Sequence, residues 1–136
     1  LLYNAAKMKK VPILQESADS LAADFRIDAG GALEAVKAVL PEMEQRGSGT
    51  ILLTGGGLAL HPHPDYGSLS LGKAALRSLA LQLHQALRDS PVKVATLTVA
   101  GFVAPGSQTH TPQAVAEALW RLHQTPKDAL EAETVL

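Results

Sequence analysis

The sequence predicts an α/β domain in which a parallel sheet is covered by helices on both faces, the doubly wound arrangement. Short, continuous apolar segments alternate along the 136 residues with longer segments whose apolar residues recur every three or four positions. The short segments are typical of strands buried on both faces of a parallel sheet, and the longer ones of amphipathic helices. Their alternation along one chain favours strand–helix–strand units over separate sheet and helix domains.

The first part of the chain predicts the end of a strand, a loop and a long helix. Leu1–Tyr3 has the pattern of the last residues of a buried strand. The helix is expected to begin at Ser17 or Ser20, either of which can cap it. Gly30-Gly31 lies inside this helix, where each glycine costs about 1 kcal/mol relative to Ala. We therefore expect the backbone to pack closely against a neighbour there. Pro41 predicts a kink or a break.

The second part of the chain predicts two further strand–helix units and a last strand. Thr50–Thr54 is a short apolar segment, and Gly67–Arg88 has one apolar face at helical spacing. Val92–Val99 is rich in β-branched residues, which favour strands. Thr111-Pro112 predicts a helix that begins with Thr as the N-cap and Pro in the first helical position. Ala132–Leu136 is expected to start another strand.

Composition excludes several classes of site and partner. A formal net charge of −1 with scattered lysines and arginines does not indicate a nucleic acid or an anionic membrane as partner. The absence of cysteine excludes disulfides and thiolate metal sites. No apolar segment approaches the roughly 20 residues that span a bilayer, and we expect a cytoplasmic protein. The chain opens on Leu1-Leu2 without an initiator Met, so we expect an N-terminal part of the domain to lie outside this sequence.

Four short motifs occur in an order and at a spacing that resemble the short-chain dehydrogenase/reductase family. Tyr3–Ala6 is similar to the family's Asn-Asn-Ala-Gly turn, and Gly49–Gly56 resembles the strand that ends on the catalytic Ser. Leu69–Leu76 resembles the Tyr-x-x-x-Lys helix, and Ala100–Val103 the Pro-Gly-x-Val loop. The resemblance covers nearly the whole chain. It implies that residues 1–136 are the C-terminal half of a Rossmann-like NAD(P)-binding domain, from the end of its fourth strand to its last helix.

The resemblance also implies which residues hold the cofactor, NAD or NADP, and which would take part in catalysis. The implied cofactor-binding residues are Asn4, Ala5, Lys73, Gly101 and Val103. Lys73 stands where the family has the Lys that binds the nicotinamide ribose and lowers the pKa of the catalytic Tyr. The other catalytic positions depart from the family: they are Leu69 for the Tyr, Gly56 for the Ser and Asp28 for an Asn.

These departures imply a member of the family with a degenerate active site. Leu69 and Gly56 have no group that can transfer a proton or stabilise a substrate oxygen, and losing acid–base assistance alone costs about 10²–10⁴-fold in rate. One interpretation is an NAD(P)-dependent oxidoreductase acting on a small-molecule carbonyl or alcohol. The alternative is a non-catalytic NAD(P)-binding or protein-interaction module. Apolar residues outside the main helical faces, such as Leu71, Ala75 and Leu81, favour a homodimer or tetramer formed through the two long helices.

Three side chains near Lys73 could replace the missing acid. Tyr66 can share a helical face with Lys73, but seven residues are about 10.5 Å along the helix axis. His61 and His63 titrate in a suitable range, and both lie in a proline-rich loop. A metal site made of His61, His63 and Asp65 lacks further ligands, so we expect no metal.

Two other segments have more than one interpretation. Gly55–Gly57 could bind phosphate at a helix N-terminus, but the resemblance implies a phosphate loop at the first strand of the domain. We therefore expect these glycines to form a flexible loop on the substrate side. The basic cluster Lys7, Lys9 and Lys10 is expected to be a solvated surface loop.

Overall fold

The fold is a four-stranded parallel sheet, seen in a computed structural model that describes residues 1–136. The strands follow one another in space in chain order, and all neighbouring pairs are parallel. In this register, Leu52 of the second strand pairs with Leu2 on one side and with Ala95 on the other. The strands are β1 (Leu2–Tyr3), β2 (Gly49–Gly56), β3 (Val92–Val99) and β4 (Glu133–Val135).

Helices connect each strand to the next. Between the first two strands, a short α-helix, a π-helical turn and a longer α-helix form one continuous helical segment. The helical elements are α1 (Ala18–Phe25), the π turn (Arg26–Gly30), α2 (Gly31–Gln45), α3 (Gly67–Ala86) and α4 (Pro112–Gln124). The predicted order of strands and helices is therefore confirmed. No helix has both the length and the apolar character that crossing a membrane requires.

Two hydrophobic clusters cover the two faces of the sheet. Helices α2 and α3 pack on one face, and α4 packs on the other, because successive residues of a strand point to opposite sides. The first cluster takes in Ile51, Leu53, Val92 and Val94 of the strands. The second takes in Leu52, Ala95, Leu97 and Val99. The doubly wound prediction is confirmed.

The predicted helix starts are also confirmed. The Ser17 side chain accepts a hydrogen bond from the Ser20 backbone N–H at 3.1 Å, so Ser17 is the N-cap of α1. The Thr111 hydroxyl accepts one from the Ala114 N–H at 3.0 Å, and Pro112 follows as the first residue of α4. Both side chains satisfy backbone donors that a helix start leaves without an intrahelical partner.

Of the kink or break predicted at Pro41, the break is wrong. Helix α2 contains Pro41 and continues to Gln45. The backbone hydrogen bond that a proline removes would join it to Lys37, and both residues are exposed, so water can solvate the freed carbonyl. The irregular turn lies instead at Arg26–Gly30, where the helix widens into a π turn.

Close packing beside the π turn explains why one of the two adjacent residues, Gly31, has no side chain. The Tyr3 hydroxyl donates a hydrogen bond to the Ile27 carbonyl inside this turn. A Cβ on Gly31 would lie 2.5 Å from that hydroxyl oxygen, so the expected close packing is confirmed there. For Gly30 it is wrong, because the nearest atom to an added Cβ is the Phe25 carbonyl oxygen at 3.7 Å, an ordinary contact.

The Lys127 amine contacts three backbone carbonyls at and just after the end of α3. Its Nζ donates to the carbonyls of Leu87 at 2.7 Å and Val92 at 3.0 Å, and also to that of Ser90. A cation at a helix C-terminus is favourable. We expect Lys127→Met to lower the free energy of unfolding of the full-length protein by about 1–2 kcal/mol.

Urea denaturation of the two proteins measures this loss. Lys10→Met is the matched control, because Lys10 is 64% exposed and its contact with Asp65 is 3.7 Å long. Equal midpoints for the Lys127 and Lys10 variants would contradict a stabilising role for the Lys127 amine.

Candidate functional site

The candidate site lies at the carboxyl ends of β1, β2 and β3. Asn4 and Ala5 directly follow β1, Gly56 ends β2, and Gly101 and Val103 follow β3. In open parallel sheets, ligands bind outside the carboxyl ends of the strands. The structure therefore brings the ends of the three predicted segments to one edge of the sheet, where Asn4, Ala5, Gly101 and Val103 are exposed.

Lys73 reaches this edge from the second turn of α3. Its Nζ donates a hydrogen bond to the carbonyl oxygen of Thr54 at 2.8 Å. None of the seven ion pairs of the chain includes Lys73. Burial lowers the pKa of the Lys73 amine, and the charge of Asp28 opposes this shift only in part. Lys73 is thus a half-buried amine tied to the end of β2.

The three consecutive glycines Gly55–Gly57 form the tight end of β2 and not a flexible loop, so that expectation is wrong. Gly55 and Gly56 are the last strand residues, and Gly57 begins a short 3₁₀ turn. A Cβ on Gly55 would lie 2.8 Å from Thr98 Oγ1, and one on Gly57 would lie 3.1 Å from Ala100 Cα. At Gly56 the nearest atom would be Lys73 Cε at 3.5 Å. Of the three positions, only Gly56 would accept a Cβ at an ordinary contact distance.

Asp28 is a buried carboxyl group in the π turn. It is 1% exposed, and its Oδ1 accepts a hydrogen bond from the Lys7 backbone N–H at 2.6 Å. Its Oδ2 has no hydrogen-bond partner. A Cβ on Gly72 of α3 would lie 2.0 Å from this oxygen, so the carboxyl group fills the space beside the glycine. Burial raises the pKa of Asp28, while the hydrogen bond from Lys7 lowers it to a smaller extent.

The raised pKa of Asp28 predicts a pH-dependent effect of Asp28→Asn. Between the ordinary pKa of an unfolded aspartate and the raised pKa of Asp28, the folded protein binds a proton that the unfolded chain has lost. The contribution of Asp28 to stability therefore falls as the pH rises through this window. We expect Asp28→Asn to be more stable than wild type by about 1 kcal/mol near neutral pH, because it removes a poorly satisfied buried charge.

Urea denaturation at about pH 3 and about pH 7 measures the change, since the window opens near the ordinary aspartate pKa. The difference between variant and wild type should grow from the lower to the higher pH. Asp128→Asn, at an exposed position, should show no such growth. A difference that is independent of pH would show that Asp28 titrates alike in both states.

None of the alternative acids makes a hydrogen bond with the Lys73 amine. Tyr66 immediately precedes α3, and its ring packs edge-on against that of His63, with centroids 5.8 Å apart. The Tyr66 hydroxyl makes no hydrogen bond within the chain, and His61 is exposed. No group of three His, Cys, Asp or Glu residues could hold a metal ion. At the position one turn before Lys73, Leu69 is 5% exposed and apolar.

Two features of the site were not predicted. The first is Tyr3, whose hydroxyl binds the π turn that carries Asp28; burial and the Asp28 charge raise its pKa. The second is Lys9, which is not solvated as expected. Its Nζ lies 2.6 Å from Asp24 and 3.0 Å from Glu16. No local pattern signals either contact, because each joins a loop or strand to a helix distant in sequence.

Comparison with known proteins gives related sequences. Residues 1–115 match the family model described as short chain dehydrogenase. Dehydrogenase/reductase SDR family member 4 of Sus scrofa is 40% identical over 58 residues, which are 43% of this chain and 21% of that protein. Oxidoreductase asL5 of Sarocladium schorii is 27% identical over 102 residues, 75% of this chain and 41% of that protein. The chain thus spans less than half the length of these relatives.

Solved structures share the fold. The closed form of serine dehydrogenase complexed with NADP+ has a TM-score of 0.87 at 20% identity, with 99% of this chain and 62% of that chain covered. A 4-hydroxyisoleucine dehydrogenase complexed with NADH has a TM-score of 0.85 at 15% identity, over 99% of this chain and 65% of that one. A short-chain dehydrogenase from Rhodopseudomonas palustris has a TM-score of 0.83 at 23% identity, over 99% and 59%.

Proposed function

This chain belongs to the short-chain dehydrogenase/reductase family, and on that premise we propose that the protein is an NAD(P)-binding oxidoreductase-like member with a degenerate proton-transfer site. Residues 1–136 would be the C-terminal part of one Rossmann-like domain in a longer cytoplasmic protein. When bound, NAD(P) would supply or accept a hydride. The remaining chemistry must come from residues of the protein.

The position of the Lys73 amine carries the proposal. It lies at the carboxyl end of β2, fixed by the Thr54 carbonyl, and its amine can donate to ribose hydroxyls. Asn4, Ala5, Gly101 and Val103 lie on either side, in the segments that follow β1 and β3. Backbone groups in such segments are suited to binding the polar parts of a nucleotide. The residues present therefore fit the cofactor, while the choice between NAD and NADP belongs to the part of the domain outside this chain.

The residues beside Lys73 argue against the usual proton transfer. Leu69 cannot donate a proton, and Gly56 offers no hydroxyl to a substrate oxygen. Asp28 is the remaining acid of the set, but its carboxyl group is held against Gly72 and is buried. Asp28 and Tyr66 stay candidate catalytic residues in this proposal, and a small-molecule carbonyl or alcohol stays the candidate substrate class.

Calorimetric titration of the full-length protein with NAD⁺, NADH, NADP⁺ and NADPH tests the proposal. We expect one nucleotide pair to bind. Lys73→Ala should raise the Kd for that pair about tenfold, the effect of losing one charge-assisted hydrogen bond. Lys37→Ala is the matched control, because Lys37 is exposed and pairs only with Glu34 on its own helix. Absence of heat and of thermal shift at millimolar nucleotide would contradict cofactor binding.

A second candidate function, a non-catalytic interaction module, is favoured by exposed apolar side chains on the helices. Phe25 is 51% exposed, Ile27 43% and Leu71 53%. A homodimer or tetramer through the long helices would bury such residues. Light scattering of full-length protein should give an assembly that Leu71→Glu weakens. A stable monomer at high protein concentration would contradict an assembly through the long helices.

A further inference from the structure

Lys73 differs from the other lysines of the chain in the groups around its amine. Most of the others lie beside a carboxylate or donate to several carbonyls at a helix end. The carboxylate-paired lysines are Lys9, Lys10 and Lys37, and those at helix ends are Lys93 and Lys127. The Lys73 amine has a single protein acceptor, the Thr54 carbonyl.

Two residues next to the Lys73 side chain, Leu69 and Gly56, offer no polar side-chain group. Leu69 lies one turn earlier on the same helix and is 5% exposed. Gly56 lies against the aliphatic stem of Lys73, where an added Cβ would make an ordinary contact at 3.5 Å. An ammonium group with one acceptor in such surroundings is poorly satisfied, whereas a neutral amine keeps its hydrogen bond and has a free lone pair. Burial lowers the pKa of Lys73 in agreement with this argument, and the charge of Asp28, which forms no ion pair with the amine, opposes the shift only in part.

We propose that Lys73 is a nucleophilic amine that binds small neutral aldehydes covalently and reversibly, as an imine. The nitrogen attacks the carbonyl carbon and forms a C–N bond. The carbonyl oxygen then leaves as water with the two protons of the amine, and a C=N bond remains. No oxidant or reductant is needed. Because an added Cβ at Gly56 would already contact the Lys73 stem at 3.5 Å, we expect only small aldehydes to fit, and the charge of Asp28, which acts on the Lys73 amine, disfavours an anionic one. This reactivity goes beyond the proposed function and does not require a bound nucleotide.

Reductive trapping tests the proposal on full-length protein without nucleotide. Butanal is the aldehyde, and sodium cyanoborohydride reduces any imine to a stable secondary amine. Peptide mass spectrometry then gives the initial rate of alkylation at each lysine. We expect Lys73 to react at least about tenfold faster than Lys37, because burial favours the neutral, nucleophilic form of the Lys73 amine whereas Lys37 lies at an exposed position.

Two variants show that the site and not mere exposure causes the reactivity. Gly56→Leu places a bulky group against the Lys73 stem and should abolish the preference for Lys73, while Lys73→Arg should leave only the slow lysines. Circular dichroism verifies that both variants are folded. Alkylation of Lys73 no faster than that of Lys37 in folded wild-type protein would overturn the proposal. Saturating NAD(P) is a separate arm: if it fails to slow the reaction, nucleotide binding at Lys73 is contradicted and the imine result stands.

Discussion

Full-length protein carrying Leu69→Tyr together with Gly56→Ser is expected to reduce simple ketones and aldehydes at least about 100-fold faster than wild type, the lower end of what acid–base assistance contributes. Position 69 lies one helical turn before Lys73, and the i to i+4 spacing brings a Tyr hydroxyl near the Lys amine. In its protonated form Lys73 then lowers the pKa of that Tyr. Position 56 accepts the Cβ of a Ser at an ordinary contact distance, 3.5 Å from Lys73 Cε.

Steady-state turnover with NADH and NADPH on a panel of ketones and aldehydes measures the gain. Leu69→Phe with Gly56→Ala is the matched control, because it restores similar volume without either hydroxyl. Equal rates for the two double variants would show that proton transfer does not limit the reaction. Wild-type turnover near about 10 s⁻¹, the median for enzymes, would contradict a degenerate site. Mutating His61, His63 and Tyr66 singly to Phe would then identify the acid.

Gly72→Ala is expected to lower the free energy of unfolding by about 3 kcal/mol, the upper range for overpacking a buried site. The new Cβ would lie 2.0 Å from Asp28 Oδ2 and 2.7 Å from Asp28 Cβ and Cγ, so either the carboxyl group or α3 must move. Urea denaturation of full-length protein measures the loss. Gly106→Ala is the control, because nothing lies within 4 Å of an added Cβ there.

A double variant shows whether Asp28 causes the loss. Adding Asp28→Ala to Gly72→Ala removes Oδ2 and Cγ of residue 28 but leaves its Cβ 2.7 Å from the new Cβ, so the double variant should recover part of the stability that Gly72→Ala loses. The coupling between the two substitutions should then be at least about 1 kcal/mol, as is common for residues in contact. Additive losses would place the cost of Gly72→Ala elsewhere than at Asp28.

The strands and helices could be predicted because their patterns are local. The apolar segment around Ile51 and the β-branched segment Val92–Val99 need only a few neighbouring residues to be recognised, and caps such as Ser17 act within one turn. The π turn could not be predicted. Its contact with the Tyr3 hydroxyl joins it to a residue more than twenty positions earlier in the sequence. The break predicted at Pro41 was wrong because the local rule for proline takes no account of the helix surface around it, which is exposed.

In the candidate site, too, features set by local sequence could be predicted and features set by distant contacts could not. The spacing of Lys73 and Leu69 on one helical face follows from the sequence alone. The room at Gly56 and the lack of room at Gly55 and Gly57 do not, because each depends on the distance to a neighbouring strand or helix. Likewise, the burial of Asp28 requires the packing of two helical segments distant in sequence.

The contact between Asp28 and Gly72 restricts the order in which these two positions can change during evolution. A side chain at position 72 is tolerated only after position 28 has become smaller, whereas position 28 can shrink first and leave only a cavity. The accessible path therefore passes through an intermediate with small residues at both positions. A lineage that carries Asp28 keeps Gly72 by selection on stability alone, even where selection on activity has been lost.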